Sequence, residues 1–346
     1  MSPEQSPEPL HRNLGRTLAS ARKGPRMTTP TEALIIGIDV AKDKLDLARS
    51  DQPAIVTCAN NDADIATLVQ RLAQDQPTMI VVEATGGYER PLVAALLEAE
   101  LPIAVANPRH VRHLAKGLGL LAKTDAIDAR VLVAYGRHAE PRLAEKREKN
   151  RIELEALVTC RRQLMLVSTE QRNRRQVTHS ANARKAIDAV LKTLQRQIDT
   201  LDEQIRKLID SDDDLHRKDC IIRSVPGAGP ILSATLLASL CELGQLDRGP
   251  ISALVGVAPF NHDSGRSKRK RVIRGGRASV RSVLYMAALA AIRCNPVIRA
   301  FAQRLRAAGK VAKVVIVACM RKLTTILNAM LRDDLQWNQL NLVKNA

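Results

Sequence analysis

Two short apolar runs, Leu34-Ile35-Ile36-Gly37-Ile38 and Met79-Ile80-Val81-Val82, each end in an acid, Asp39 and Glu83. They read as strands, and the carboxyl edge of a parallel sheet is where ligands gather in α/β folds. A third stretch, Lys123-Thr124-Asp125-Ala126-Ile127-Asp128-Ala129-Arg130, carries two more acids at helical spacing. That spacing puts Asp125 and Asp128 on one helix face. Ala126, Ile127, Ala129, Val131, Leu132 and Val133 make the helix largely apolar, so its acids need a counter-charge, which a metal ion supplies. An Asp after a strand is otherwise a turn residue or N-cap, and paired acids are common on surface helices. In strand, strand, helix order, Asp39, Glu83, Asp125 and Asp128 form one candidate site.

The alternation around these acids gives the fold class, α/β followed by mostly α. Strands are expected at Leu34–Asp39, Leu45–Ala48, Ala54–Ala59, Thr78–Glu83 and Ile103–Ala106. Helices fall at the Ile65, Leu68, Val69, Leu72 spacing, at Pro91–Ala99, and in two stretches after Asn107-Pro108. Three strands in a meander and then alternating helices and strands is the order of a ribonuclease H-like sheet, whose parallel strands need crossovers. Residues 1–30, rich in Pro, Ser and Arg without periodicity, read as a disordered tail. The α/β domain is assigned to 31–143, a helical segment to 144–215, a C-terminal domain to 216–335 and a tail to 336–346.

Ile187, Leu191, Leu194, Ile198, Leu201, Ile205 and Leu208 are spaced alternately by four and three, the seam of a coiled coil. Leu154, Leu157, Leu164 and Val167 suggest a partner helix. The seam is narrow with polar flanks, which favours self-association over an ordinary helical hairpin. Downstream, Ile221 to Pro230 leads through Pro226-Gly227-Ala228-Gly229 into an apolar helix over Ile231–Leu240. This is the layout of a helix–hairpin–helix, whose glycines let backbone amides approach a phosphate, although a plain tight turn has the same sequence.

Charge decides the partner class. The chain of 346 residues carries a formal charge of +18, which points to a polyanion, nucleic acid before an anionic membrane. Between Ser264 and Arg332 there are seventeen Lys and Arg and no acid. A solvated face mixes signs, so this stretch is expected to contact phosphate, with Arg266, Lys268, Arg269, Lys270, Arg271, Arg274, Arg277 and Arg281 as candidates. Aromatics at 2% exclude base stacking as a main binding mode. The six cysteines form no Cys-x-x-Cys pair, which excludes a zinc site and a disulfide framework and suits a cytoplasmic protein. Val314 to Met320 is too short to span a membrane, and no membrane partner is expected. Ser264, beside Gly265 in a loop ahead of the basic run, has the setting of a nucleophile aimed at a phosphodiester, although Ser-Gly is also common loop chemistry.

Ile36-Gly37-Ile38-Asp39-Val40-Ala41-Lys42, Glu83-Ala84-Thr85-Gly86-Gly87-Tyr88, Asn107-Pro108, Lys123 to Arg130, Pro226-Gly227-Ala228-Gly229, and Ser264-Gly265 leading to Gly276 and Arg281 occur in this order. Together they resemble the insertion sequence 110 family of transposases, over about residues 33–335. The resemblance implies a RuvC-like domain with an Asp-Glu-Asp-Asp metal site, falling on Asp39, Glu83, Asp125 and Asp128. It also implies a C-terminal transposase domain whose serine, falling on Ser264, attacks DNA. Family members are RNA-guided recombinases that pair a structured RNA from the element's own ends with donor and target DNA. They assemble as dimers and tetramers, with metal site and serine supplied by different protomers. The N-terminal extension departs from the family, as does Gly275-Gly276-Arg277 where Lys-x-Gly is expected.

The expected function is therefore site-specific, RNA-guided recombination for an insertion sequence, using Mg²⁺ on the carboxylates and Ser264 as nucleophile. A Holliday-junction-type nuclease using water and two metals needs the tetrad but not Ser264. A basic nucleic-acid-binding protein leaves the buried acids unexplained. An actin-like sugar kinase shares the Gly37-Ile38-Asp39 opening but lacks a second Asp-Gly phosphate loop.

Overall fold

The computed structural model describes residues 33–120, 125–146, 148–260, 263–264, 267–268 and 271–338, with backbone alone at 125–126, 263–264 and 267–268. The expected tail over 1–30 lies outside them. The chain divides into two units, 1–146 and 147–346.

The first unit is built on five strands: β1 (Ile35–Val40), β2 (Lys44–Arg49), β3 (Ile55–Ala59), β4 (Met79–Glu83) and β5 (Ile103–Ala106). Their order is β3-β2-β1-β4-β5. β1–β2 and β2–β3 are antiparallel, while β4 joins β1 and β5 joins β4 in parallel. The meander and crossovers expected from the sequence are present, and the sheet has ribonuclease H-like order. α1 (Asp62–Asp75) and α2 (Arg90–Glu98) supply crossovers; α3 (Pro108–Gly117) and α4 (Asp125–Ala139) follow β5.

Period-two alternation splits the central strands between two cores. Ile36, Ile38, Val40, Ile80 and Val82 pack with Ile65, Leu68, Leu72, Leu92 and Leu96 of α1 and α2. Val81 and Ala106 on the opposite face pack with Val111, Ala115, Val131 and Leu132 of α3 and α4.

The second unit begins with a helical hairpin of α5 (Lys149–Val177) and α6 (Ala181–Asp210). Arg161 pairs with Asp202 and Arg175 with Asp188, in the register of antiparallel helices. Ile198 and Ile205 of the heptad seam are buried, and Ile187, Leu191, Leu194, Leu201 and Leu208 are half-buried. The seam therefore packs partly within its own chain, the hairpin alternative of the sequence reading.

α7 (Asp213–Arg223), α8 (Pro230–Ser239), α9 (Arg248–Val255), α10 (Ala278–Cys294), α11 (Pro296–Ala307) and α12 (Ala312–Arg332) build the helical core of this unit. Among the described residues between α9 and α10 lie the strands β6 (Pro259–Phe260), β7 (Asp263–Ser264), β8 (Ser267–Lys268) and β9 (Val272–Ile273). α12 is longer than the run from Val314 to Met320. By length and composition it could cross a membrane. Its Val315, Cys319, Leu323, Leu327 and Met330 instead pack into the core.

Candidate functional site

Glycine determines how closely α4 approaches the strands that carry Asp39 and Glu83. A Cβ on Gly37 would lie 2.3 Å from the Ala129 carbonyl oxygen and 2.8 Å from Leu132 Cβ. α4 thus rests directly on the β1 backbone, at a separation no side chain permits. Further along α4, a Cβ on Gly136 would lie 2.8 Å from Ile35 Cγ2 and 3.0 Å from Val81 Cγ2. Ala129 stands over Gly37, and Gly136 over the earlier residue Ile35, so α4 runs antiparallel to β1 and β4. Its amino end lies at their carboxyl ends.

Ile35, Gly37 and Asp39 share a strand face, as do Met79, Val81 and Glu83. Both acids therefore lie on the face that α4 covers, at the ends of adjacent parallel strands. Asp125 and Asp128 lie in the first described turn of α4, toward its amino end. Asp39, Glu83 and Asp128 are all half-buried. The Asp125 side chain is outside the described residues. Among the described residues, no three acid, histidine or cysteine side chains already stand as a ligand cluster. The donor set nonetheless fits a hard divalent cation: carboxylates alone, at two strand ends and a helix start.

A further acid at this edge escaped the sequence reading. Asp46 of β2 is directly opposite Asp39 in the antiparallel register and is buried. It accepts from Thr57 Oγ1 at 2.6 Å and pairs with Lys44 at 2.9 Å. Those partners offset what would otherwise be like charges facing across the ladder. The alternation Leu45-Asp46-Leu47 was the available signal, since it turns Asp46 to the face that carries Asp39.

The loop after Glu83 is fixed from within. Glu89 Oε2 accepts from Thr85 N at 3.1 Å, Thr85 Oγ1 at 2.9 Å and Gly87 N at 2.8 Å. Partial burial alone would raise the Glu89 pKa, but these bonds and one from its own backbone outweigh it and hold the carboxyl below its usual range. Gly86 and Gly87 take positive φ, 86° and 132°, which lets the loop fold over that carboxylate.

In the second unit, Ser264 is a strand residue rather than part of an open loop. Pro259–Phe260 pairs with Val272–Ile273, and Asp263–Ser264 with Ser267–Lys268. Ser264 is paired with Ser267, which leaves Gly265 and Arg266 as the two residues between them. The Ser264, Arg266, Lys268, Arg269 and Lys270 side chains lie outside the described residues. Arg271 and Arg274 are exposed.

Arg277 and Arg281 are engaged within the protein. Arg277 makes a two-pronged pair with Glu242, Nη1–Oε2 at 2.6 Å and Nη2–Oε1 at 2.7 Å, and Arg281 Nη1 donates to the Gly275 carbonyl at 2.6 Å. Gly227 is also committed internally. A Cβ there would lie 2.7 Å from Ala291 Cα, so this glycine permits contact with α10. Gly229, the N-cap of α8, faces open space.

Two family models match the chain: a transposase model of the DEDD type of IS110 over residues 36–179, and the model "Transposase IS116/IS110/IS902 family" over 219–303. The chain is 29% identical to the pilin gene-inverting protein of Moraxella bovis over 309 residues, 86% of this chain and 96% of that protein. It is 28% identical to the uncharacterized 44.8 kDa protein of insertion element IS116 from Streptomyces clavuligerus, over 92% of this chain and 75% of that protein. Among solved structures, T. thermophilus RuvC in complex with Holliday junction substrate matches 33% of this chain and 100% of its own, at 15% identity and a TM-score of 0.26.

Proposed function

This chain belongs to the IS116/IS110/IS902 family of transposases, and we propose that it is an RNA-guided recombinase using a carboxylate-held metal and a serine nucleophile. The observation that carries the reading is the approach of α4 to Gly37. It brings the helix start bearing Asp125 and Asp128 to the strand ends bearing Asp39 and Glu83. Acids brought to one edge of a sheet from two strand ends and a helix repel one another, and a divalent cation would offset that repulsion.

Asp39, Glu83, Asp125 and Asp128 would hold Mg²⁺, which when bound polarises a phosphodiester and offsets its charge. Ser264 Oγ would then attack phosphorus. Its bond to phosphorus forms as the bond to the departing sugar hydroxyl breaks, and the hydroxyl proton of serine ends on that sugar. One phosphoester replaces another, so the strand can be rejoined by the reverse step without ATP. The exposed Arg271 and Arg274, with the bases around Ser264, would bear on the DNA or guide RNA backbone. The partners are donor and target DNA, a guide RNA from the element and further copies of the chain, in the cytoplasm.

Three proteins test this in a denaturing gel assay with a matched RNA and DNA pair. Wild type should give a covalent protein–DNA band. Asp125→Asn should lose all cleavage, and Ser264→Ala should lose the band and strand exchange. Mixing the two variants should restore some activity if the serine and the carboxylates act from different protomers. Normal cleavage by Ser264→Ala would replace the serine with water and make the protein a junction-type nuclease. Full recombination after removal of all RNA would overturn the guide.

A further inference from the structure

Pro259–Phe260 with Val272–Ile273, and Asp263–Ser264 with Ser267–Lys268, are the paired segments around Ser264. Among the described residues each of these two ladders has two residue pairs, and an isolated two-stranded hairpin is marginal in water. The hairpin's orientation must come from its stem, where its two legs touch. A Cβ on Gly276 would lie 2.3 Å from Gly256 N, and one on Gly256 would lie 2.3 Å from the Gly275 carbonyl oxygen. Gly256, Gly275 and Gly276 all take positive φ. Arg281 bonds the Gly275 carbonyl, and the Arg277 backbone N–H donates to Leu254 O at 2.9 Å.

Besides Arg281, a side-chain ion pair ties this crossing to the core. Glu242, in the turn after α8, grips both Nη atoms of Arg277. The turn is itself held by Asn328 of α12, which is almost fully buried. Asn328 Oδ1 accepts from Gly244 N at 2.9 Å, and its Nδ2 donates to Leu246 O at 2.7 Å. A planar guanidinium on a carboxylate fixes angle as well as distance, which a lysine cannot do.

We propose that Glu242 and Arg277 are positioning residues that lock the stem of the hairpin so that it presents Ser264 in one orientation. The proposal rests on the reading of Ser264 as the nucleophile. Neither residue reaches DNA in this role; they act through the glycine crossing.

The test uses full-length Glu242→Gln and Arg277→Lys. Gln keeps the shape and loses the charge, whereas Lys keeps the charge and loses the fork. Hydrogen exchange is followed in peptides covering 257–275. The rate of covalent adduct formation is measured at saturating DNA and guide RNA, alongside DNA affinity. Both variants should exchange faster across the hairpin. They should form adduct about tenfold more slowly or worse, with affinity within about twofold. A purely stabilising pair would leave the rate at saturation unchanged well below the melting temperature, and that result overturns the proposal. So does unchanged exchange in both variants. If Glu242→Gln does not fold, Arg277→Lys carries the same decision. Adduct formation by Ser264→Ala would sink the serine reading instead, while the exchange data would still judge the clamp.

Discussion

At the scale of single residues, glycines and ion pairs decide where the chemistry can sit. Gly37 lies in the Gly-Ile-Asp stretch that the sequence singles out, but its reason is a contact with Ala129, far along the chain, which no local pattern encodes. Gly37→Ala should cost about 1–3 kcal/mol or more through overpacking against the α4 backbone. It should also shift α4, so that cleavage falls further than the drop in melting temperature explains. Glu242 gives a pH prediction. Burial would raise its pKa, but Arg277 outweighs that and holds it at about 2, below the ordinary 4.5. A depressed carboxyl pKa contributes stability above the unfolded-state value, and that contribution is lost as pH falls through the folded-state value. Acid unfolding of wild type and Glu242→Gln should therefore differ fully above about pH 4.5 and converge towards pH 2. Nothing in the sequence marks Glu242 as Arg277's partner, which is why Arg277 reads as one more phosphate contact.

At the scale of elements, the sequence shows what repeats and hides what is short. The five strands of the sheet and the heptad seam of α6 were legible because apolar residues recur with a fixed period. The described parts of β6 to β9 have two residues each and sit among charges, too short for a period to be read. The positions of Asp39 and Glu83 at strand ends could be read directly. Which end of α4 lies over them depends on helix direction, which requires the fold. For the hairpin of α5 and α6, Ile198→Ala or Ile205→Ala should lower stability of the helical unit by about 2–5 kcal/mol in denaturant melts. Leu194 and Leu201 are only half-buried. Charges at both should shrink the species seen by light scattering if the rest of the seam joins copies. An unchanged size would confine the seam to its own chain.

At the scale of the whole molecule, the +18 charge is unevenly available. Of the eight bases singled out near Ser264, Arg277 and Arg281 are already engaged by Glu242 and a carbonyl. Six phosphate contacts from the others would give a log–log salt slope of about −5 on duplex DNA. Arg271→Ala and Arg274→Ala should each flatten that slope by about 1, as measured by titration at several salt concentrations. Arg281→Ala should leave it unchanged. Net charge could predict a polyanion partner because it sums over the sequence, but only side-chain bonding shows which charges remain to meet it.

The direction of α4 also sets an order in time. Asp39 and Glu83 leave the ribosome well before the helix that completes their edge of the sheet, since α4 begins at Asp125. A nascent chain that ends before α4 carries the five strands but has no helix to bring to their ends. The edge that carries the four candidate carboxylates is therefore complete only when the whole first unit has emerged. On the proposed reading, a chain that stops short of α4 should show no metal-dependent cleavage of DNA.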